Sequence, residues 1–335
     1  MEDKIILKTD LKGFKILQAN IRFYQALGLD FVEISPFDKL SEREIGEIIS
    51  LNDLYQKNGL CLILSFDIKI ILARLLGKNP TAIDFFDPKI RQGLYHFISY
   101  LIKHGIRAFK LEGLPSLADG GESLIKRVRE LNKNTFFNKD VFSLAEINED
   151  KNTLMAFANP NLSCLSMVSP SGEIEGVFDF AKSFLENNSG LALSFDNFQK
   201  SVINFDNYPI YGRRMIYMSL FFLNSSLYLD ESDLNFEDIK FLRKLFAFKD
   251  QVHDLNKITK ILPKESDILT FVRSGPGKKI LFMANLTEKE VLVDLAYKVL
   301  DYKEYEFLAG SFSHRTLYRT ILLRPYEAAC FINCK

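Results

Sequence analysis

Carboxylate side chains recur where short apolar runs of the sequence end. The run IRAFKLE (106–112) ends on Glu112, and the run VFSLAEI (141–147) carries Glu146 next to its last residue. The whole set is Asp67, Glu112, Glu146, Asp196 and Asp230. Clustered carboxylates repel one another unless they bind a ligand or share protons, and paired carboxylates perform nucleophilic and acid–base chemistry. The alternative for any one of them is a solvated group or a salt bridge at a strand end.

Short apolar or β-branched runs alternate with amphipathic segments over most of the chain. The segment 88–105 shows the amphipathic pattern, with Ile90, Leu94, Phe97 and Leu101 on one helical stripe. Runs of this length, bounded by turn residues, are typical of buried strands in a parallel sheet. They cover 5–9, 30–35, 60–66, 106–112, 141–147, 162–168, 191–197 and 225–230.

This rhythm predicts an α/β fold, a (β/α)8 TIM barrel. A doubly wound open sheet is the alternative. Its nucleotide-binding form lacks support, because no G-x-G-x-x-G follows the first run and the sequence contains no P-loop. Barrel active sites lie at the carboxyl ends of the strands, so the carboxylates listed above are expected to ring one mouth.

The pattern changes after a predicted helix over 236–256. Closely spaced strand-like runs follow, joined by short turns such as GPGK and TEKE, and they predict a small antiparallel domain. The runs cover 267–274, 278–286, 290–295 and 319–333. We therefore expect two domains, the barrel over 1–257 and the antiparallel domain over 258–335.

Composition argues against several classes of function. The 43 basic and 43 acidic side chains balance, so neither nucleic acid nor an anionic membrane surface is an expected partner. Four scattered cysteines indicate free thiols in a reducing compartment. The start MEDKIILKTDLKG has no secretory pattern. The apolar stretch 60–76 is interrupted by charges and reads as a strand leading into a helix. A cytoplasmic protein is expected.

Several collinear fragments resemble the alpha-amylase family of glycoside hydrolases. The segment 11–37 is similar to the family's opening helix and second strand, 84–114 to the segment carrying its nucleophile, and 142–147 to the strand carrying its acid. The segment 159–168 is similar to the oligo-1,6-glucosidase and trehalose-phosphate hydrolase branch. Further fragments are 191–197, similar to the strand of the third carboxylate, and 269–295 and 322–331, similar to the terminal β-sandwich.

The resemblance implies retaining hydrolysis of an α-glucoside by two carboxylates about 5–5.5 Å apart. Carried over by position, Glu112 is the nucleophile, Glu146 the acid/base and Asp196 the third carboxylate, which contacts sugar hydroxyls. The remaining candidates for substrate binding are Lys110, Asn197 and Asp67. Neither a metal nor a cofactor is expected, because the inserted domain and third-strand motif near which the family often holds calcium are depleted.

The chain also departs from the family pattern at most positions that hold the sugar. The nucleophile is normally Asp rather than Glu112, and Lys110 replaces an arginine whose guanidinium fork an ammonium cannot reproduce. The His before the third carboxylate is Phe195, and the family's substrate-covering inserted domain is reduced to a short segment over 73–87. The third-strand Asp and Asn-His are replaced by Ser65, Lys69 and Ile70.

Two functions follow from this mixture. The first is a catalytically impaired or inactive pseudoenzyme, which binds a sugar or acts as a scaffold for a protein partner. The alternative is an active retaining α-glucosidase that uses Glu112 and Glu146. Strand alternation places Lys110 on the same face as Glu112, so we expect its ammonium to pair with Glu112 or Glu146 and to keep these acids ionised.

Overall fold

The computed structural model describes most of the chain, with gaps concentrated between residues 148 and 208. The described residues are 4–10, 14–35, 37, 41–118, 123–136, 140–147, 163–166, 191–194, 209–224, 227–252, 254–255, 257–260, 268–295, 299, 301–313 and 315–334.

Eight parallel strands close into a barrel in chain order, and the last pairs with the first. Each of the eight runs expected to be strands overlaps one of them, which confirms the prediction of a TIM-barrel-like α/β fold. The strands are β1 Ile5–Asp10, β2 Phe31–Ser35, β3 Cys61–Asp67, β4 Ala108–Glu112, β5 Phe142–Ile147, β6 Ser163–Ser166, β7 Leu191–Ser194 and β8 Leu227–Asp230.

Helices flank the barrel in the described part of the chain. The predicted helix over 88–105 is confirmed as α5, and the stretch 60–76 forms a strand leading into α4. The helices are α1 Phe14–Ala19, α2 Ile21–Leu27, α3 Glu42–Lys57, α4 Ile68–Leu75, α5 Pro88–Lys103, α6 Leu124–Thr135, α7 Pro209–Asn224, α8 Phe236–Phe246 and α9 Lys249–Val252. Among them, none has both the length and the apolar character needed to cross a membrane.

Strand alternation divides the barrel side chains into two sets. One set, which includes Val32 and Ile34 of β2, joins the large core shared with the helices. The other set faces the barrel interior and forms a separate apolar layer from six strands, made of Ile6, Phe31, Ile63, Ala108, Leu144 and Tyr228. This layer forms an apolar floor, and the polar residues of the barrel mouth lie above it, toward the carboxyl ends of the strands.

Two antiparallel sheets follow the barrel, consistent with the expected C-terminal β-sandwich. The larger has the order β13-β15-β11-β10-β9, and β12 pairs with β14 in the smaller. The two sheets share a core that includes Leu281 and Phe331 from one and Val293 and Leu323 from the other. The strands are β9 Lys257–Lys260, β10 Ile268–Gly275, β11 Lys278–Asn285, β12 Val291–Asp294, β13 Glu306–Gly310, β14 Thr320–Leu323 and β15 Ala328–Asn333.

Helix α7 joins the barrel to the larger C-terminal sheet. It packs on β11 and β15, and the rings of Phe222 and Phe282 lie 5.7 Å apart. Arg273 of β10 is 1% exposed and donates from Nε to the Leu255 carbonyl at 2.8 Å and from Nη1 to the Phe222 carbonyl at 2.9 Å. A single apolar core therefore runs from the barrel helices into the sheet.

The C-terminal half differs from the expectation in three places. The helix predicted over 236–256 breaks between α8 and α9, which brings Lys249 Nζ within 2.6 Å of Asp30 Oδ2. The strand predicted over 319–333 is divided by a turn in which Tyr326 has a φ of 52°, a conformation no strand can continue through. Strands β9 and β13 were not predicted.

Candidate active site

The polar residues at the barrel mouth stand two and four positions beyond the apolar floor. Because side chains alternate along a strand, residues two positions after Ile6, Phe31, Ile63 and Ala108 also face the interior. These residues are Lys8, Glu33, Ser65 and Lys110. The same count from Tyr228 leads to Asp230, and four positions after Ala108 leads to Glu112.

Lys110 lies at the centre of this polar layer. Its side chain is 4% exposed, and its Nζ lies 3.4 Å from Glu33 Oε1, 3.1 Å from Glu112 Oε1 and 3.3 Å from Tyr228 Oη. The ammonium also lies 5.4 Å from the centre of the Tyr228 ring. The expected pairing of Lys110 with Glu112 is therefore observed, and a second carboxylate shares the same ammonium.

Glu112 ends β4 at the carboxyl mouth of the barrel. Its side chain is 32% exposed, and its Oε1 accepts a hydrogen bond from Ser65 Oγ at 2.7 Å as well as the one from Lys110. Partial burial raises the pKa of Glu112, but the charge of Lys110 and these two hydrogen bonds outweigh it and hold the pKa below its usual value. The carboxylate is thus ionised at neutral pH and reachable from solvent.

Glu33 was not singled out from the sequence. It is 0% exposed, and burial raises the pKa of its carboxyl even though Lys110 acts to lower it. Its Oε2 has no hydrogen-bond partner among the described residues. The available signal was a charged residue inside the apolar run DFVEIS, two positions after Phe31 and therefore facing the interior.

A second ammonium pairs with a carboxylate on the opposite side of the mouth. Lys8 Nζ donates to Asp230 Oδ2 at 2.8 Å, and this hydrogen bond raises the pKa of Lys8. Burial raises the pKa of Asp230, but the hydrogen bonds from Lys8 and Ser232 outweigh it, so the pKa of Asp230 lies below its usual value. Next to Lys8, the Thr9 hydroxyl donates to Glu231.

Asp67, expected to bind substrate, caps a helix. Its Oδ1 accepts the backbone N–H groups of Lys69 at 2.8 Å and Ile70 at 2.9 Å, which begins α4. Gly113 follows Glu112 with a φ of 73°, and a Cβ built there would lie 2.6 Å from Asp67 Oδ2. The cap is therefore packed directly against the chain leaving β4.

The other predicted site residues are only partly covered by the structure. β4 and β5 pair Leu111 with Ala145, so the next residues, Glu112 and Glu146, continue at the same level of neighbouring strands. The side chain of Glu146 lies outside the described part, as do Asp196 and Asn197. Among the described residues, no three His, Cys, Asp or Glu side chains come together as metal ligands would.

Ion pairs join the charged side chains in the described part of the mouth. Two ammonium groups, those of Lys8 and Lys110, contact three carboxylates, those of Glu33, Glu112 and Asp230. Of these carboxylates, Glu112 is ionised, partly exposed and held by two donors. Glu33 has a raised pKa, as a general acid requires, but it is fully buried beneath Lys110.

By sequence, the chain matches no protein-family model and no curated protein. By structure, it is similar to trehalose-6-phosphate hydrolase of Bacillus licheniformis, with a TM-score of 0.76 and 10% identity over 100% of this chain and 99% of that one. It is also similar to an isomaltulose synthase of Erwinia rhapontici solved with its natural substrate sucrose, with a TM-score of 0.77 and 9% identity over 99% and 98%.

A third similar structure is the trehalulose synthase of Pseudomonas mesoacidophila, with a TM-score of 0.71 and 10% identity over 98% of each chain. All three proteins are alpha-amylase-family enzymes. The resemblance drawn from the sequence fragments is thus confirmed as a likeness of fold that spans the chain.

Proposed function

We propose that this protein is an alpha-amylase-type barrel with impaired or absent glycoside hydrolysis, which binds a small α-glucoside or serves as a scaffold for a protein partner. The observation that carries the proposal is the position of Lys110. Its ammonium occupies the interior of the mouth and contacts both Glu33 and the Glu112 carboxylate expected to attack the sugar.

The electrostatics of the mouth oppose the chemistry that the resemblance implies. Glycoside cleavage passes through a transition state with oxocarbenium character, which negative charge in the site stabilises. Lys8 and Lys110 place two positive charges beside the carboxylates that would supply this stabilisation. A general acid also needs a raised pKa, and a cation beside it lowers that pKa. This argument extends to Glu146, the proposed acid/base, if Lys110 also acts on it.

We propose sugar binding because binding requires weaker contacts with the sugar than hydrolysis does. The isomaltulose synthase that shares this fold was solved with sucrose, and a small α-glucoside is the corresponding ligand class here. Lys110, Asp67 and Asn197 remain the proposed contacts, with Asp196 as the third carboxylate. The free thiols of Cys61, Cys330 and Cys334 support the further proposal of a cytoplasmic location.

The alternative, an active retaining α-glucosidase, is favoured by one observation. Glu112 is ionised and partly exposed, and it ends its strand at the same level as Glu146. In this reading Glu112 attacks the anomeric carbon, and Glu146 protonates the leaving oxygen and then activates water.

Turnover of aryl α-glucosides and of trehalose 6-phosphate separates the two functions. We expect negligible hydrolysis by the wild type, and none restored in Glu112→Asp, because Lys110, Ser65 and Phe195 would still fail to hold the sugar. Sucrose titration calorimetry on the same samples measures binding directly. Robust wild-type turnover that disappears in Glu146→Gln, with an unchanged circular dichroism spectrum, would establish the active enzyme instead.

A further inference from the structure

A groove of about 370 Å³ lies away from the barrel mouth, between α8 and strand β13. This volume falls within the range of ligand-binding pockets. One wall is formed by α8, including Phe241, and by Phe248 two residues after its end, and the other is the continuous run 307–312. The mechanism proposed above uses none of these residues.

Four residues of this wall, 307–310, belong to strand β13. Phe307 packs against the core between the two sheets and Leu308 against the large core, so the groove is lined from both faces of the strand and borders its edge. Strand β13 is the terminal strand of its sheet and pairs only with β15 among the described strands. The edge of a terminal strand presents backbone N–H and C=O groups that can pair with another chain.

The rim of the groove is basic. Lys240 and Lys244 lie one turn apart on α8, are exposed and form no ion pair within the described part of the chain. Arg214 adds a third cation, with its guanidinium carbon 5.4 Å from the centre of the Phe241 ring. Among the described lining residues the one carboxylate, Glu237, lies 3.5 Å from Arg214, which leaves a net positive charge on this part of the groove.

We propose that this groove binds an acidic peptide in extended conformation, which adds to the edge of β13 as a further strand. The spacing of the lysines supports this class of partner. Residues four apart on a helix are separated by about 6 Å along its axis, close to the ~6.7 Å between alternate side chains of a strand. Carboxylates at alternate positions could therefore face Lys240 and Lys244 together, while the intervening apolar side chains face Phe241 and Phe248.

A peptide explains the groove better than a compact anion does. The two lysines lie one turn apart on α8, and a small anion would leave the backbone edge of β13 unused. In strand addition, backbone hydrogen bonds supply affinity and alternate side chains supply specificity. In this groove, the edge of β13 would supply the backbone partners, and the lysines and aromatic rings would contact the alternate side chains.

The binding test uses the full chain and a fluorescein-labelled octapeptide of alternating Glu and Val, followed by fluorescence anisotropy at low salt. We expect saturable binding that weakens with added salt, and none by the matching Lys–Val peptide. Two further peptides carry N-methyl groups on every Val or on every Glu. Since successive residues of a strand point their N–H groups to opposite edges, at least one methylated peptide should bind about tenfold more weakly.

The variant test removes the rim charge. We expect Lys240→Gln/Lys244→Gln to weaken peptide binding about fivefold to tenfold. The control Lys89→Gln/Lys103→Gln loses the same charge from exposed positions on α5 and should bind like the wild type. Three results would overturn the proposal: both methylated peptides binding like the parent, displacement by inorganic phosphate at low concentration, or self-association of the chain that depends on Lys240 and Lys244.

Discussion

The ammonium of Lys110 holds two carboxylates of opposite character. Glu33 is buried and its pKa is raised, whereas Glu112 is partly exposed and its pKa is lowered. Removing one partner of a buried ion pair leaves an uncompensated charge, which costs more than the pair itself contributes. Lys110 is therefore a structural residue of the barrel whether or not it contacts a sugar.

Replacing Lys110 by Met should destabilise the protein by about 3–5 kcal/mol at neutral pH, because Glu33 then lacks its cation. Urea unfolding followed by circular dichroism measures this loss. The exposed Lys103→Met on α5 is the control and should change stability by less than about 0.5 kcal/mol. A Lys110→Met protein as stable as this control would show that the ion pair is energetically neutral.

The same variant should show a pH dependence of defined sign. A lowered pKa of Glu112 contributes stability above the unfolded-state pKa, and this contribution is lost as pH falls through the folded-state value. A raised pKa of Glu33 imposes a penalty that appears as pH rises, and Lys110→Met enlarges it. The deficit of the variant should therefore be larger near pH ~8 than near pH ~5. A deficit that grew on acidification would contradict this assignment.

At the residue scale, the sequence predicted contacts within a strand better than contacts across the barrel. The pairing of Lys110 with Glu112 follows from alternation two residues apart. Glu33 and Tyr228 are 77 and 118 residues from Lys110 in the chain, and only barrel closure brings them to its ammonium. The charged residue in the second strand was visible, but its partner was not.

The start of α4 depends on the end of β4. Asp67 caps the helix, and Gly113, in a left-handed conformation, passes so close that an added Cβ would meet the carboxylate. The two elements are adjacent because β3 and β4 pair Asp67 with Glu112. A change at Gly113 is thus transmitted to the helix cap beside the mouth.

Gly113→Ala should cost about 2 kcal/mol or more, since it combines backbone strain with displacement of the cap. Asp67→Ala should cost about 1 kcal/mol through loss of the cap. Because the clash of Gly113→Ala is with Asp67 itself, the double variant should cost less than the sum of the two. Thermal unfolding of all three measures this, and additive losses would mean that strain at Gly113 does not involve Asp67.

At the element scale, the barrel was more predictable than the C-terminal sheets. Buried parallel strands are continuous apolar runs, which periodicity detects directly. Strand β13, EFLAG, has a bulge between Phe307 and Ala309 that disturbs alternation, and it escaped prediction. The turn at Tyr326 was missed because aromatic residues seldom adopt positive φ.

At the scale of the whole molecule, α7 and β10 are in contact across the predicted domain boundary. Arg273 donates to carbonyls from two separate segments, and Gly275 lets the chain at Asp254 pass where a Cβ would lie 2.2 Å from its carbonyl oxygen. The boundary predicted near residue 257 falls within this contact. We therefore expect the two predicted domains to unfold together.

Arg273→Met should destabilise the chain by about 2–4 kcal/mol, because the carbonyls of Phe222 and Leu255 lose a charged donor. Arg273→Lys should recover only part of this lost stability, since one ammonium does not reproduce the guanidinium fork. The exposed Arg319→Met, whose guanidinium lies 3.7 Å from Asp294, should cost less than about 1 kcal/mol. Urea unfolding monitored by fluorescence and circular dichroism provides the test, and an Arg273→Met loss no greater than this control would count against it.

The shared ammonium also limits how this barrel could change during evolution. A substitution of Lys110 alone leaves the buried charge of Glu33 without its cation. A neutral residue at position 33 alone leaves the Lys110 ammonium with a smaller counter-charge. Each single substitution therefore lowers the stability of the protein, whereas a simultaneous change of both residues avoids this loss. Among descendants of this sequence, positions 33 and 110 should therefore be inherited as a pair, and an arginine at 110 would be accepted only where residue 33 permits its larger head group.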